Sequence, residues 1–504
     1  MNKNTRTYKS LRNMIYGVGV QIITLIISFI SRTIFIKILG AEYLGINGLF
    51  NNILSVLSLA ELGFGQAIIY TMYKPLAEND ENKITALMNF YKKIYNIIAV
   101  TIFLLGIVIV PIIQCLVKTN LDISQVKQYY ILFLLNTVMS YVLSYKTSIL
   151  NADQKQYVQK IYNLLGTIIQ FALQTAIILI THNYILYLVM QIIGTLINNL
   201  ILSIKVDKMY PYIKNEAELS KIEKKNIYSN TISLFLYKTS GVILNNTDNI
   251  LISMMIGTVW VGYYSNYFMI INAINAFLTI IFYATTGSVG NLNTENNSIK
   301  QCKLYETMLL FSGWIYGTCS IVLLFVFNDF IQIWVGNEYV LSNAVVIAIV
   351  LNFYMQGILT PAWIFRDTTG LFKQTRYLAM ITAIINLVLS IILGKIFGLF
   401  GILIATAISR LLTNFWYEPY ILYKNIFKQK FSKFLKKQLL FVIIYVLSYI
   451  IIYLIVKNIM TISLINICIK AIIAFLVSTI IFLLFFSKDE DLKKLLEKIR
   501  IKLE

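Results

Sequence analysis

A chain of 504 residues that is 58% hydrophobic and 13% charged, with a mean hydropathy of +0.72, excludes a soluble globular domain and describes a membrane-embedded protein. The net charge of +20 does not require a nucleic-acid partner, because lysine and arginine gathered on one face of a membrane protein set its topology and meet anionic lipid head groups. Four cysteines without paired spacing (Cys115, Cys302, Cys319, Cys468) and a single histidine, His182, argue against a disulfide framework and a metal site, and no cofactor is implied.

An apolar run of about 20 residues crosses a bilayer as a helix, because the helix satisfies its own backbone hydrogen bonds. Such runs are predicted at 14–38, 44–72, 88–113, 126–148, 157–181, 184–204, 228–256, 259–285, 304–328, 341–365, 377–397, 400–423, 438–456 and 464–486. The fold class is therefore all-α, a polytopic membrane protein of about 14 transmembrane helices. The first run is too long and too polar for a cleaved signal peptide, and no small-x-small site follows it.

With the N-terminus inside, about 34 of the 43 basic residues fall in every second gap or in the tails. The other side keeps Lys37, Lys118, Lys127, Lys395, Lys457 and Lys470. Both termini are then cytoplasmic, and the short outer gaps leave no room for a sizeable extracytoplasmic domain. The longest connection is 205–227. The tail 487–504 places Leu492, Leu495, Leu496, Ile499 and Leu503 on one helical face, as a segment lying along the membrane surface would.

The chain also carries a repeat. Gly40-Ala41-Glu42-Tyr43-Leu44-Gly45 follows the first run and Gly257-Thr258-Val259-Trp260-Val261-Gly262 follows the seventh. The same offset of 217 residues aligns Gln21, Thr24, Ser28 and Ser31 with Lys238, Gly241, Asn245 and Asp248. Each quartet spans roughly 80° of helix surface, so each run has one polar stripe. Ser55 and Ser58 fall opposite Asn272 and Asn275. An even offset of six helices makes the repeat parallel, with two pseudo-symmetric lobes. The expected domains are an N-lobe at 1–204, the cytoplasmic loop 205–227, a C-lobe at 228–425, two extra helices at 426–486 and the tail 487–504.

Charges inside the runs are the functional candidates, since each costs several kcal/mol unless it meets water, a partner or a ligand. They are Arg32, Glu61, Lys238, Asp248, Arg410 and Glu418. Arg32 lies about six residues, roughly 9 Å, below the outer end of its helix, and Glu61 lies deeper. Glu418 is near the inner mouth, where a long side chain can snorkel to water. The cations suit an anionic ligand. The amide and hydroxyl stripes (Gln21, Thr24, Ser28, Asn245, Asn246, Asn249, Asn272, Asn275) suit a polyhydroxylated one, or hydrogen bonds between helices. Asp248 and Glu61 are the candidates for ion coupling or gating.

These features resemble the Wzx-type repeat-unit flippases, in the polysaccharide transporter branch of the multidrug/oligosaccharidyl-lipid/polysaccharide exporter superfamily. The resemblance rests on the segment 31–45, which reads Ser-Arg-Thr-Ile-Phe-Ile-Lys-Ile-Leu-Gly-Ala-Glu-Tyr-Leu-Gly, on Leu59-Ala60-Glu61-Leu62-Gly63-Phe64-Gly65, and on Asp248-Asn249 with the second glycine motif. It implies carriage of an oligosaccharide on undecaprenyl diphosphate from the inner to the outer leaflet of a bacterial cytoplasmic membrane, for capsule, exopolysaccharide or O-antigen assembly. A diphosphate needs Arg or Lys when it leaves water, and guanidinium binds phosphate bidentately, which makes Arg32, Lys37, Lys238 and Arg410 its candidates. The relatives carry basic residues where Arg32 and Lys37 stand. Lys37 keeps their three-residue spacing to the glycine, and Arg32 is offset by about one position. The lipid can stay in the bilayer, guided by a groove near the last two helices. A polysaccharide polymerase and chain-length machinery are the partners this implies, and a monomer suffices.

Two rivals share the superfamily: a cation-coupled multidrug exporter, for which twelve helices and acidic cavities are expected, and a lipid II flippase. A membrane polymerase or glycosyltransferase is a different class. It would call for a long outer loop or a catalytic cluster, and neither is legible here, so no enzyme is expected.

Overall fold

The computed structural model describes residues 6–487, apart from 62–63, 226, 229–245, 296, 376 and 460. Lys238, Asn245 and the tail after 487 lie outside the described residues. The regular structure of the described residues is helical. The main helices are α1 (Arg6–Leu39), α2 (Ala41–Leu57), α3 (Phe64–Glu78), α4 (Glu81–Ile109), α5 (Ile123–Tyr141), α6 (Gln156–Thr181) and α7 (Tyr184–Met209). After the described helical residues 246–255 come α8 (Thr258–Tyr283), α9 (Thr286–Thr294), α10 (Ser298–Trp334), α11 (Asn343–Thr369), α12 (Leu378–Leu412), α13 (Asn414–Leu422), α14 (Ser432–Val456) and α15 (Leu464–Phe485).

Polar caps mark where these helices begin. Asp80, Asp122, Asn183, Asn297 and Ser463 each accept a backbone N–H from the first turn that follows. Ten described segments are long and apolar enough to cross a membrane. One of them, Leu378–Phe427, folds over at Gly398, whose φ of 59° and ψ of −134° break α12 into two spans. The interrupted pair α2 and α3 and the 19-residue α5 account for two more spans, and the run at 228–256 falls largely outside the described residues. The described residues thus form an all-helical, multi-pass membrane architecture, and that run alone of the fourteen lies largely outside them.

The run at 44–72, expected as one helix, is broken. α2 ends at Leu57, a tight 3-10 turn takes Ser58–Glu61, and α3 starts at Phe64. Apolar composition does not report such a break, because irregular backbone inside a membrane needs only protein or a wet cavity around it.

The chain divides into two compact units, Met1–Gly262 and Tyr263–Glu504. The division falls inside α8, and the loop at 205–227 belongs to the first unit.

In the first unit, α6 and α7 pack as a hairpin at which Gly166 receives Asn198 and Gly194 receives Gln170. The loop after α7 runs back along the start of α4. Thr85 donates to the Tyr212 carbonyl (3.1 Å), Asn89 to those of Asn215 and Ala217 (2.9 and 3.3 Å), and Lys93 and Lys83 pair with Glu218 and Glu223. The hydrogen bond from Lys93 lowers the Glu218 carboxyl below its usual range, and that from Lys83 does the same to Glu223. A further pair, Lys146–Asp207 at 2.6 Å, ties the turn after α5 to α7.

The two glycine motifs meet within this unit. Gly45 abuts the backbone carbonyl of Thr258, and Gly262 abuts that of Ala41, so close that a Cβ at either position would overlap backbone. The two contacts obey the 217-residue offset read from the sequence.

In the second unit the 37-residue α10 is central. The α14–α15 hairpin lies on it, with the rings of Phe441 and Tyr445 seated on Gly313 and Gly317. The Tyr445 hydroxyl donates to the Gly313 carbonyl at 2.5 Å. Two ion pairs hold the hairpin: Lys437–Glu306 at 3.0 Å and Lys470–Asp329 at 2.7 Å. Their anchor points on α10 are about 23 residues apart, or roughly 34 Å, which is about one hydrocarbon thickness. Lys470, expected in an outer gap, is thus a buried staple.

Candidate functional site

In α1, Gln21, Thr24, Ser28, Ser31 and Arg32 are all half-buried. Tyr187 of α7 stands beside Arg32 and hydrogen-bonds with Ser31. It belongs to a largely buried aromatic group of Phe35, Tyr43, Tyr129, Tyr184 and Tyr187, with neighbouring centroids 4.9 to 6.1 Å apart. Rings locked in this way give the guanidinium a rigid wall. Lys37, near the end of α1, is exposed.

Glu61 ends the turn that interrupts the second span. The Tyr95 hydroxyl donates to its carboxylate, Tyr91 donates to Tyr95 at 2.9 Å, and Tyr141 reaches both the same carboxylate and Ser58. All three tyrosines are buried. Among the described residues Glu61 makes no ion pair, with Arg32 or any other cation.

Asp248 is half-buried, and Asn249, which is buried, packs beside Gly48 of α2. On α8, Asn272 is exposed and Asn275 half-buried. The Oδ1 atoms of Asn249 and Asn275 are buried and accept no hydrogen bond within the described protein. The same holds for both amide atoms of Asn266, which is fully buried and which sequence reasoning missed. Its signal was a third asparagine on one apolar helix. Buried amides left this way keep donor and acceptor capacity for a polar guest.

Arg410 is buried in the second unit, where it donates to the Asn352 carbonyl at 3.3 Å and so braces α12 on α11. Glu418 is not a snorkelling side chain. It is 3% exposed and accepts from Arg366 at 2.7 Å and from Asn414 at 3.4 Å. Arg366, expected in an inner loop, is itself 8% exposed because α11 runs on to Thr369. A carboxylate this far from water needs its cation beside it.

Gln21, Thr24, Ser28, Arg32, Glu61, Asp248 and Asn249 thus fall in the first unit, and Asn272, Asn275 and Arg410 in the second. The second unit also has an apolar cavity of about 370 Å³ between α10, α11 and α14, lined by Gly317, Ile321, Leu324, Val350, Tyr354 and Val446 among others. Among the described residues no group of three or more His, Cys, Asp or Glu side chains could hold a metal ion.

Three comparisons place this architecture. No curated protein matches the chain. Among solved structures, the lipid II flippase MurJ in an inward closed conformation superposes with a TM-score of 0.69 at 16% identity, covering 94% of this chain and 99% of that one. An inward-facing multidrug resistance transporter of the MATE family, in the MOP superfamily, gives 0.61 at 15%, covering 79% and 95%. The MATE multidrug transporter DinF-BH in complex with R6G gives 0.56 at 17%, covering 85% and 98%. Likeness at such identities speaks for the fold and leaves the substrate open. The sequence model for polysaccharide biosynthesis proteins matches residues 10–286, more than half of the chain. The chain therefore belongs to the polysaccharide biosynthesis protein family.

Proposed function

We propose that the protein is a flippase that turns oligosaccharide repeat units, carried on undecaprenyl diphosphate, from the inner to the outer leaflet of a bacterial cytoplasmic membrane. The polymer they build would be capsule, exopolysaccharide or O-antigen. One observation carries this reading: a chain of the polysaccharide biosynthesis family has, over 94% of its length, the fold of a protein that flips a lipid-linked substrate.

The residues suit that cargo. Arg32 presents a half-buried guanidinium on a rigid aromatic wall, as binding a diphosphate away from water requires. Lys37, Lys238 and Arg410 are its further candidate cations. The hydroxyls and amides of Gln21, Thr24, Ser28, Asn245, Asn249, Asn272 and Asn275 suit sugar hydroxyls. The apolar cavity beside α14 suits a hydrocarbon chain that never leaves the bilayer.

Two lobes, 1–204 and 228–425, rock about the binding site and expose it to either face in turn, with both termini cytoplasmic. Glu61 or Asp248 couples an ion to that motion. Multidrug export is the second reading, favoured by the likeness to two MATE transporters.

Deleting the gene tests the assignment. Loss of surface polymer, with intact repeat units stranded on the cytoplasmic leaflet, is the expected outcome. Normal polymer with heightened drug sensitivity would favour the exporter. Unpolymerised units on the outer leaflet would favour a polymerising enzyme.

A further inference from the structure

We propose that the two glycine motifs form a latch between the heads of α2 and α8, and that this latch must part in every transport cycle. The inference rests on the transporter reading but not on the identity of the cargo.

The first observation is reciprocity. Gly45 lies against the Thr258 backbone and Gly262 against the Ala41 backbone and the Gly45 nitrogen. Each glycine is four residues beyond the backbone that its counterpart touches, so the contact reads the same from either copy of the repeat. Helices whose nearest approach is backbone to backbone, with only the small Thr258 methyl and Val261 beside it, close with little interlocking of side chains, and glycine is what permits that approach. Such a seam can part and re-form without repacking a core.

The second observation is a clasp that holds both heads. The segment 116–120, just after α4, binds the first motif through Glu42, which accepts from the Thr119 hydroxyl and, at 2.8 Å, from the Asn120 amide. It binds the second through Thr258, whose backbone N–H and hydroxyl both donate to the Lys118 carbonyl, at 2.9 and 3.0 Å. Ser253 adds a bond to the Leu116 carbonyl at 2.9 Å. α2, α3, α4 and the clasp follow one another in sequence. The head of α8 is the distant strand in this knot and continues into the second compact unit. The bonds of Thr258 and Ser253 are therefore the ones that break when the latch opens, whereas those of Glu42 persist.

The test uses the full-length protein with its four native cysteines replaced. A Cβ built on Gly48 lies 3.2 Å from Val261 Cγ1, a spacing that suits a disulfide between Gly48→Cys and Val261→Cys. Oxidation should form this bond, stop transport in reconstituted vesicles and release it again on reduction. Cross-linking should become less complete in a Thr258→Val background, which lacks the hydroxyl donor, and unchanged in Glu42→Gln. In Gly45→Ala and Gly262→Ala proteins that elute as monodisperse particles, a cysteine at Thr258 should react faster with a water-soluble thiol reagent.

Undiminished transport by the fully cross-linked protein would overturn the proposal. So would failure of the disulfide to form, or equal thiol reactivity with and without the alanines. Because cross-linking and labelling need no cargo, they also separate this idea from the assignment above. A lock that stops drug export, in a protein that moves no lipid-linked oligosaccharide, would keep the latch and remove the flippase.

Discussion

The sheltered carboxylates of the second unit all face cations, and one of the first unit, Glu61, does not. In residues 263–504, Glu306, Asp329 and Glu418 each sit against a cation, Lys437, Lys470 and Arg366, at 3.0, 2.7 and 2.7 Å. In residues 1–262, Asp207 pairs likewise with Lys146 at 2.6 Å, but Glu61 is held by tyrosine hydroxyls instead. A buried ion pair fixes both partners, because separating them strands a charge in a medium that solvates it poorly. A hydroxyl, in contrast, can donate to a carboxylate or accept from a carboxylic acid, so a tyrosine cage accommodates either protonation state. Acids of the first kind staple helices together; Glu61 is held without an opposing charge.

The largest effect is expected at Arg366. Arg366→Met leaves Glu418 buried without its cation and should lower stability by about 3–5 kcal/mol, read from thermal unfolding in detergent. The double variant with Glu418→Met should regain most of that loss, since nothing charged is then stranded. Lys470→Met and Lys437→Met come next, at about 2 kcal/mol each, because these groups keep some contact with water. Hydrogen exchange should quicken along α14 and α15 and leave the first unit unchanged.

Glu61→Gln should be far milder. The amide still accepts from Tyr95, so stability should fall by less than about 1 kcal/mol in thermal unfolding. A loss as large as that of Arg366→Met would make Glu61 another staple and dissolve the distinction.

The smallest effect concerns the loop strapped to α4. Lys93 and Lys83 lower the carboxyls of Glu218 and Glu223, so the bonus from these pairs is fully present above the unfolded value of 4.5 and is lost as pH falls through the lowered native values. Hydrogen exchange across 210–225 should stay constant from about pH 8 to about pH 5, after correction for intrinsic rates, and rise only under stronger acid.

Much of this was legible in the sequence, and the remainder was hidden for physical reasons. Apolar runs report spans because the bilayer allows little else, and the offset of 217 residues foresaw which glycines correspond. That those glycines touch is a tertiary fact. The break before α3 was invisible because Ser58–Glu61 differs from helix in geometry and hardly in hydropathy. Arg366 and Lys470 read as loop cations because single-residue charge cannot reveal that Glu418 and Asp329, 52 and 141 residues away, stand opposite them. The tyrosines around Glu61 come from two other helices and carry no charge to draw notice. Asn266 looked like one more polar residue in a helix already rich in them.

Translocation of a lipid-linked oligosaccharide can be watched in a reconstituted membrane. Purified protein would be placed in vesicles carrying labelled undecaprenyl-diphosphate oligosaccharide, and the share exposed on each leaflet would be followed with a glycosidase that cannot cross the membrane. Label from the inner leaflet should become accessible in vesicles with the wild-type protein, and much more slowly with Arg32→Gln. Label that remains as protected as in protein-free vesicles, while a cationic drug is carried across, would contradict the flippase assignment.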